Sequence, residues 1–380
     1  MRLPTSTAAP LVLAAVLLAG CSGGSGSGDG SGSDRTPTQA AAPSGSSSPA
    51  PSTAPPVARA RVAGVVATGL DVPWGIAFLP DGSALVSERD SARIVHVTRQ
   101  GDVSTVGTVQ GVDGSGEGGL LGIALSPAYA TDRTLFAYFT AGPVNVIARM
   151  TYDGSGLADQ RRIFGGIPSG PIHNGGRIAF GPDGFLYAGT GEAGRGAPAQ
   201  DPNDLGGKIL RITPEGAPAP ENPTPGSPVW TLGHRNVQGL AWDARGRMWA
   251  SEFGQNTWDE LNRIVPGGNY GWPVVEGRSG DDKFRNPVRQ WHTDVASPSG
   301  IAIADGSVFM ASLRGERLWQ VPLLQHGTGK PRALLTGRYG RLRAVAVAPD
   351  GSLWVLTNNT DGRGSPRPGD DRIVRLTLSS

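Results

Sequence analysis

From Trp74 to Thr357 the chain is a succession of short apolar runs broken by small polar turns, and one double run recurs six times. It reads "WGIAFLPDGSALVSE" from Trp74, "LGIALSPAYATDRTLFAYF" from Leu121 and "RIAFGPDGFLYAGTG" from Arg177. It returns as "GLAWDARGRMWASE" from Gly239, "GIAIADGSVFMAS" from Gly300 and "AVAVAPDGSLWVLT" from Ala344. Each unit is a strand with small residues, a turn, and a second strand rich in aromatic and β-branched residues. Asp-Gly supplies the positive-φ conformations of a tight turn, so the pattern predicts a β-hairpin. Superposing Ala77, Ala124, Ala179, Ala241, Ala302 and Ala346 spaces the units by 47, 55, 62, 61 and 44 residues. One such sheet cannot bury both faces, whereas six set radially can. The expected fold is all-β, a six-bladed β-propeller. No long amphipathic helix interrupts the series, and two stacked sandwiches would not explain six versions of one hairpin. The last run, "RIVRLTL" (372–378), is expected to complete a blade begun by "RVAGVVATGL" (61–70) and so to close the ring.

The first residues follow a different pattern. Arg2 precedes the apolar stretch "LVLAAVLLAG" (11–20), which is too short to span a bilayer and reads as an export signal. It ends in Leu18-Ala19-Gly20-Cys21, which resembles the bacterial lipobox, where the cysteine is lipidated and becomes the mature N-terminus. Residues 1–21 are therefore expected to be a lipoprotein signal peptide. Cys21 is the only cysteine, so no intramolecular disulfide can form. Residues 22–56 are Gly, Ser, Pro, Ala and Thr with almost no apolar bulk, a composition that cannot offset its ordering entropy, and read as a flexible tether. Residues 57–380 remain for the propeller. The expected location is exported, at the cell surface or in the periplasm, with the membrane met only through a lipid anchor on Cys21.

The net charge of +2 is close to balance, Lys208, Lys283 and Lys330 are the only lysines, and no basic run stands out. That argues against a nucleic-acid partner. Unusual polar residues instead flank the strands of the later repeats: His173, the pair Arg235-Asn236, Arg314, and Arg341 with Arg343. Arg341 and Arg343 are two apart, so on a strand they point to the same face. Two guanidiniums there repel unless something anionic sits between them; the alternative is that both are solvated.

The blocks "GEGGLLGIA", "IHNGGRIAFGPDG", "GHRNVQGLAW", "EFGQNTWDELNRIVPGGNYGWP" and "GRLRAVAVAPDG" carry a more specific signal. They resemble, in order and across nearly all of residues 62–378, the soluble aldose sugar dehydrogenases that use pyrroloquinoline quinone. These form the soluble quinoprotein glucose dehydrogenase, or glucose/sorbosone dehydrogenase, family. The resemblance implies a six-bladed propeller, which agrees with the repeat count. It also implies an oxidoreductase that converts an aldose at its anomeric carbon to a lactone and passes electrons to an external acceptor. A haem attachment motif, Cys-x-x-Cys-His, is absent.

Residue by residue, the resemblance makes His173 the general base, a role suited to an imidazole whose ordinary pKa lies near neutrality. Glu192 takes the place of the acidic residue that orients this histidine, with glutamate where the best-known members have aspartate. Arg235 and Asn236 fall on the cofactor-contacting Arg-Asn pair, where the arginine would stabilise charge developing on the quinone. Arg314, Arg341 and Arg343 fall where cationic residues meet the cofactor's carboxylates; at position 314 the best-known members carry lysine. Glu117 sits where some members have a cofactor-touching glutamine, and a carboxylate there is unfavourable unless protonated or paired. The main-chain carbonyls of Gly254 and Gln255 would hold calcium, an ion that takes oxygen ligands and acts as a Lewis acid. Glu260 and Tyr270 match positions that ligate a second calcium in some members. The run "GGNYGWP" reads as turn and packing chemistry rather than a sugar platform, and Trp74, Trp242, Trp249 and Trp354 as inter-blade core.

Two other functions fit a propeller. A calcium-dependent, lactonase-like hydrolase would need no quinone but leaves Arg314, Arg341 and Arg343 unexplained. A cell-surface module that binds a sugar or a protein without turnover would be favoured by loss of the histidine or of Arg235, and both are present.

Overall fold

The computed structural model describes residues 57–379, and the expected signal peptide, Cys21 and tether lie outside them. Six four-stranded antiparallel sheets follow one another along the chain, at 73–108, 120–168, 178–232, 237–292, 298–334 and 342–379. In the first five the strand order is the chain order. The sixth borrows its outermost strand, Arg59–Thr68, from the start of the described chain, and this pairs with Arg372–Ser379. The ring is thus closed by the two runs that the sequence matched, and the six-bladed propeller is the architecture found. Among the described residues helix is confined to two single turns, Tyr129–Asp132 and Ala197–Gln200.

The Asp-Gly turns work as expected. Gly82, Gly184, Gly306 and Gly351 all have positive φ, and Asp81 accepts from the Ser83 amide to fix the first turn. The first strand of each blade packs around the central axis against the first strands of its neighbours. Approach there is close: a Cβ on Gly122 would lie 2.2 Å from Gly176 O, and one on Gly239 would lie 2.5 Å from Ser299 O. Two residues before each aligned alanine the six units carry Gly75, Gly122, Arg177, Gly239, Gly300 and Ala344. Only the third blade puts a large side chain at this level. Arg177 is partly buried near the axis, with its guanidinium 4.2 Å over the Trp74 ring and its Nε donating to Gln238 O. Between blades the cores are aliphatic and aromatic, as in the cluster of Trp249, Leu261, Trp291 and Met310.

Candidate active site

Two sets of connections converge at one end of the axis: those after the second strand of a blade, and those between a fourth strand and the next blade's first. Together they line a cavity of about 440 Å³. His173, Glu117, Arg235, Asn236, Gly254, Gln255, Arg314, Arg341 and Arg343 all line it, although the sequence spreads them over more than 200 residues. Glu192, Glu260 and Tyr270 do not.

His173 has φ of 59°, in the left-handed region, and after Asn174 come Gly175 and Gly176, which have positive φ too. The turn is locked from outside. The His173 amide donates to Glu117 Oε2 at 2.9 Å, and the Gly175 amide donates to Asn236 Oδ1 at 2.9 Å. Glu192 stands behind the imidazole, 3% exposed, and hydrogen-bonds its Nδ1. Its own amide donates to Arg235 O. With Nδ1 committed to a carboxylate, Nε2 is the nitrogen left to take a proton. Arg235 packs 5.4 Å over the Trp272 ring, its Nε buried without a partner. Burial pulls its guanidinium below the ordinary arginine value against the opposing pull of Glu192, Glu276 and Asp259.

Charge dominates the cavity. Arg89, Arg235, Arg314, Arg341, Arg343 and Arg363 face three carboxylates, Glu117, Asp259 and Asp361, a surplus of three positive charges. Arg343 is 5% exposed, and burial lowers its guanidinium to about 9. Its Nε and Nη2 donate to Asn358 Oδ1, and its Nη1 to Gln238 Oε1. The anion that the Arg341–Arg343 spacing calls for is Asp361, whose Oδ2 lies 2.9 Å from Arg341 Nη2 and 3.8 Å from Arg343 Nη2. Glu117 is paired as well, through Oε1 to Arg363 Nη1 at 2.7 Å, which removes the objection to a bare carboxylate. Trp74 has a second role beyond inter-blade packing, since it lines the cavity and lies 5.7 Å from the Arg343 guanidinium.

The turn after the second strand of blade four is built on one oxygen. Glu276 Oε1 accepts from the amides of Gln255, Asn256, Thr257 and Trp258, at 2.7 to 3.0 Å. In a planar trans peptide each carbonyl opposes the next residue's N–H, so the Gly254 and Gln255 carbonyls are directed away from Glu276. Gly254 could carry no side chain, because its Cβ would lie 2.0 Å from Trp258 O. Asp259 accepts from the Gly254 and Ser297 amides and lines the cavity beside them; burial raises its carboxyl to about 6. Two oriented carbonyls next to a carboxylate form an oxygen-rich donor set of the kind a hard cation takes.

Glu260 and Tyr270 sit in a separate buried cluster behind this turn. His234 Nδ1 lies 2.6 Å from Glu252 Oε2, and its ring stacks on Tyr270 at 4.6 Å. Burial pushes the Glu252 and Glu260 carboxyls up to about 8. The Tyr270 hydroxyl donates to Arg263 O and accepts from the Val265 amide, and Glu260 accepts from Asn262 and the Gly277 amide. Among the described residues no three His, Cys, Asp or Glu side chains gather as ligands.

Residues 70–373 match the model of the glucose/sorbosone dehydrogenase family. This chain belongs to that family. Within it, the chain resembles the PQQ-bound form of aldose sugar dehydrogenase from Streptomyces coelicolor, with 58% identity and a TM-score of 0.84 over 86% of this chain and all of that one. A Thermus thermophilus oxidoreductase described as a glucose dehydrogenase aligns at 44% identity and a TM-score of 0.78, over 84% of this chain and all of that one. The aldose sugar dehydrogenase YliI of Escherichia coli is 29% identical, over 78% of this chain and 91% of its own.

Apart from Arg314, every candidate that meets at the cavity lies in a quoted family block, but four charged lining residues were not singled out from the sequence. Asp259 lies inside a quoted block, and only its amide partners reveal what it does. Arg89, Asp361 and Arg363 lie in irregular connections with no motif of their own, and ring closure alone brings them together. The residues present suit a flat polyanion: three surplus positive charges, and two guanidinium Nε groups, of Arg235 and Arg341, buried without partners.

Proposed function

We propose that this chain is a pyrroloquinoline quinone- and calcium-dependent dehydrogenase that oxidises aldose sugars at the anomeric carbon to lactones and passes the electrons to an external acceptor. The observation that carries this reading is His173, backed by the buried Glu192, on the wall of a cavity that six arginines also line. The quinone, a tricarboxylate, would be held by Arg314, Arg341 and Arg343, with Arg235 and Asn236 beside its reacting end. When bound it would supply the two-electron oxidant for the sugar carbon. Calcium would be held by the Gly254 and Gln255 carbonyls and supplies Lewis acidity there.

This chain's own groups do the rest. His173 Nε2 takes the proton of the anomeric hydroxyl while Glu192 fixes the ring and favours the imidazolium that forms. Arg235, half-buried and packed over Trp272, supplies a fixed positive charge in a site of reduced dielectric, where it is worth more than in water. Glu117 does not oppose the anion, because Arg363 neutralises it; its part is to hold the His173 amide. A lactonase-like hydrolase would leave the surplus of arginine without purpose.

Export and lipidation at Cys21, with residues 22–56 as tether, complete the proposal. The lipobox resemblance supports them.

The test is reconstitution of protein lacking residues 1–56 with quinone and calcium, following dye reduction over a panel of aldoses. Sugar-dependent reduction that requires quinone, is lost in EDTA and returns with calcium is the expected result. Quinone-independent lactone hydrolysis would overturn the proposal in favour of the hydrolase.

A further inference from the structure

Arg341 and Arg343 are held in unlike ways. Arg343 is saturated by neutral partners, Asn358 and Gln238, and its position owes little to Asp361, 3.8 Å away. Arg341 has a single side-chain partner among the described residues, Asp361 Oδ2 at 2.9 Å from Nη2. Nε and Nη2 form the edge of a guanidinium that a carboxylate grips with two parallel bonds. Asp361 fills half of that edge, and Nε, the other half, is buried without a partner. The pair is therefore a one-point contact where a better-placed carboxylate would make two.

Asp361 is also carried on a tip that can move while its base stays. The base is fixed by Asp371, which accepts from Thr357 Oγ1, the Asn359 and Thr360 amides, and Thr360 Oγ1. Beyond Asp361, Gly362 has φ of 82° with open space where a side chain would be; Arg363 is exposed, its amide donates to Asp361 Oδ1 at 2.9 Å within the tip itself, and its guanidinium reaches across the cavity to Glu117. The Asp361 side chain itself is 1% exposed, so it occupies the arginine site rather than solvent.

We propose that Asp361 is a built-in stand-in for a ligand carboxylate: it neutralises Arg341 and Arg343 in the unliganded protein and yields Arg341 when an anionic cofactor binds. The inference rests on reading the cavity as the quinone site. Two consequences of opposite sign follow from one charge. Without the carboxylate, the two neighbouring guanidiniums lose the anion paired with them and repel, so the unliganded fold is weakened. An incoming tricarboxylate, however, no longer has to displace a competitor or approach a like charge, so it binds more tightly.

The test compares wild type with Asp361→Asn, both lacking residues 1–56, by thermal unfolding without ligand and by equilibrium titration with pyrroloquinoline quinone read as fluorescence quenching. The expected variant has a lower Tm unliganded and a Kd for quinone lower by about tenfold or more. Unchanged or weaker binding in a folded variant would overturn the inference, because a permanent clamp or an idle residue behaves that way. Wild type that binds no quinone would sink the functional reading and this inference together, whereas wild-type binding that the variant fails to tighten sinks this inference alone. Hydrogen exchange of wild type gives a second readout that does not depend on the variant folding. Quinone should slow exchange around His173 and Arg235 but speed it at 360–364. Slowed exchange at 360–364 would contradict the inference.

Discussion

A histidine next to two glycines has no chemistry until its two ring nitrogens are made different. Here Glu192 makes the difference, from a buried position where its carboxylate meets Nδ1 and nothing else competes for Nε2. Glutamine in its place could keep a hydrogen bond but could not favour the imidazolium, so orientation and charge can be separated by one substitution. Glu192→Gln is expected to lower kcat by at least about tenfold, with quinone affinity unchanged. Steady-state kinetics beside a quinone titration checks this, and an equal loss in both would mean Glu192 is structural. His173 was legible in the sequence because it lies inside a family block, and Glu192 because it follows a few residues beyond it. Asp361 was legible only as a requirement: the Arg-x-Arg spacing called for an anion, and which residue supplied it depended on a connection with no periodic pattern.

At the scale of the element, the turns hold the site because neighbouring turns leave no room to move. Gly191 begins the stretch that leads to Glu192, and its Cβ would lie 1.8 Å from His173 O, a backbone atom that cannot swing aside. Gly191→Ala is therefore expected to shift the His173 turn and to destabilise the fold by about 1–3 kcal/mol. Denaturant unfolding reads the stability, and kcat should fall although no reacting group has changed. Unaltered stability and kcat would show that the two turns are not coupled. The Asp-Gly hairpins could be read from local residues, since positive φ and side-chain caps act within four positions. The turn at 254–258 could not, because four amides converge on Glu276, which lies in the next connection. Likewise the burial of Tyr270 on His234, which spends its hydroxyl, follows from packing between connections rather than from spacing.

At the scale of the molecule, six repeats and a split blade fix where the ends go. Arg59 pairs with Ser379, the last residue of a strand that starts on the cavity side of the ring, so the described chain begins and ends on the face opposite the cavity. The expected tether, residues 22–56, would join the propeller at that face. Cys21→Ser is accordingly expected to release active protein from the membrane fraction, read by fractionation and labelling with a fatty-acid analogue. A variant that stays in the membrane fraction would contradict the anchor. Fold and ring closure were legible at this scale because apolar periodicity survives insertions of a dozen residues. Arg177 was visible as the one large residue at its level of the repeat, but its place over Trp74 on the axis emerges only when six blades meet.

The central claim, that His173 takes a proton while a quinone bound among the arginines takes hydride, is tested most directly by a single turnover. Quinone-loaded protein with calcium is mixed anaerobically with excess glucose and then with other aldoses, without any acceptor, and the quinone absorbance is followed for wild type and His173→Ala. Wild type should bleach in one phase whose rate depends on the sugar, and the variant should bind quinone equally well but bleach about 10²- to 10⁴-fold more slowly. Bleaching at the same rate in both proteins would contradict the claim, since the proton would then leave by a route that does not involve His173.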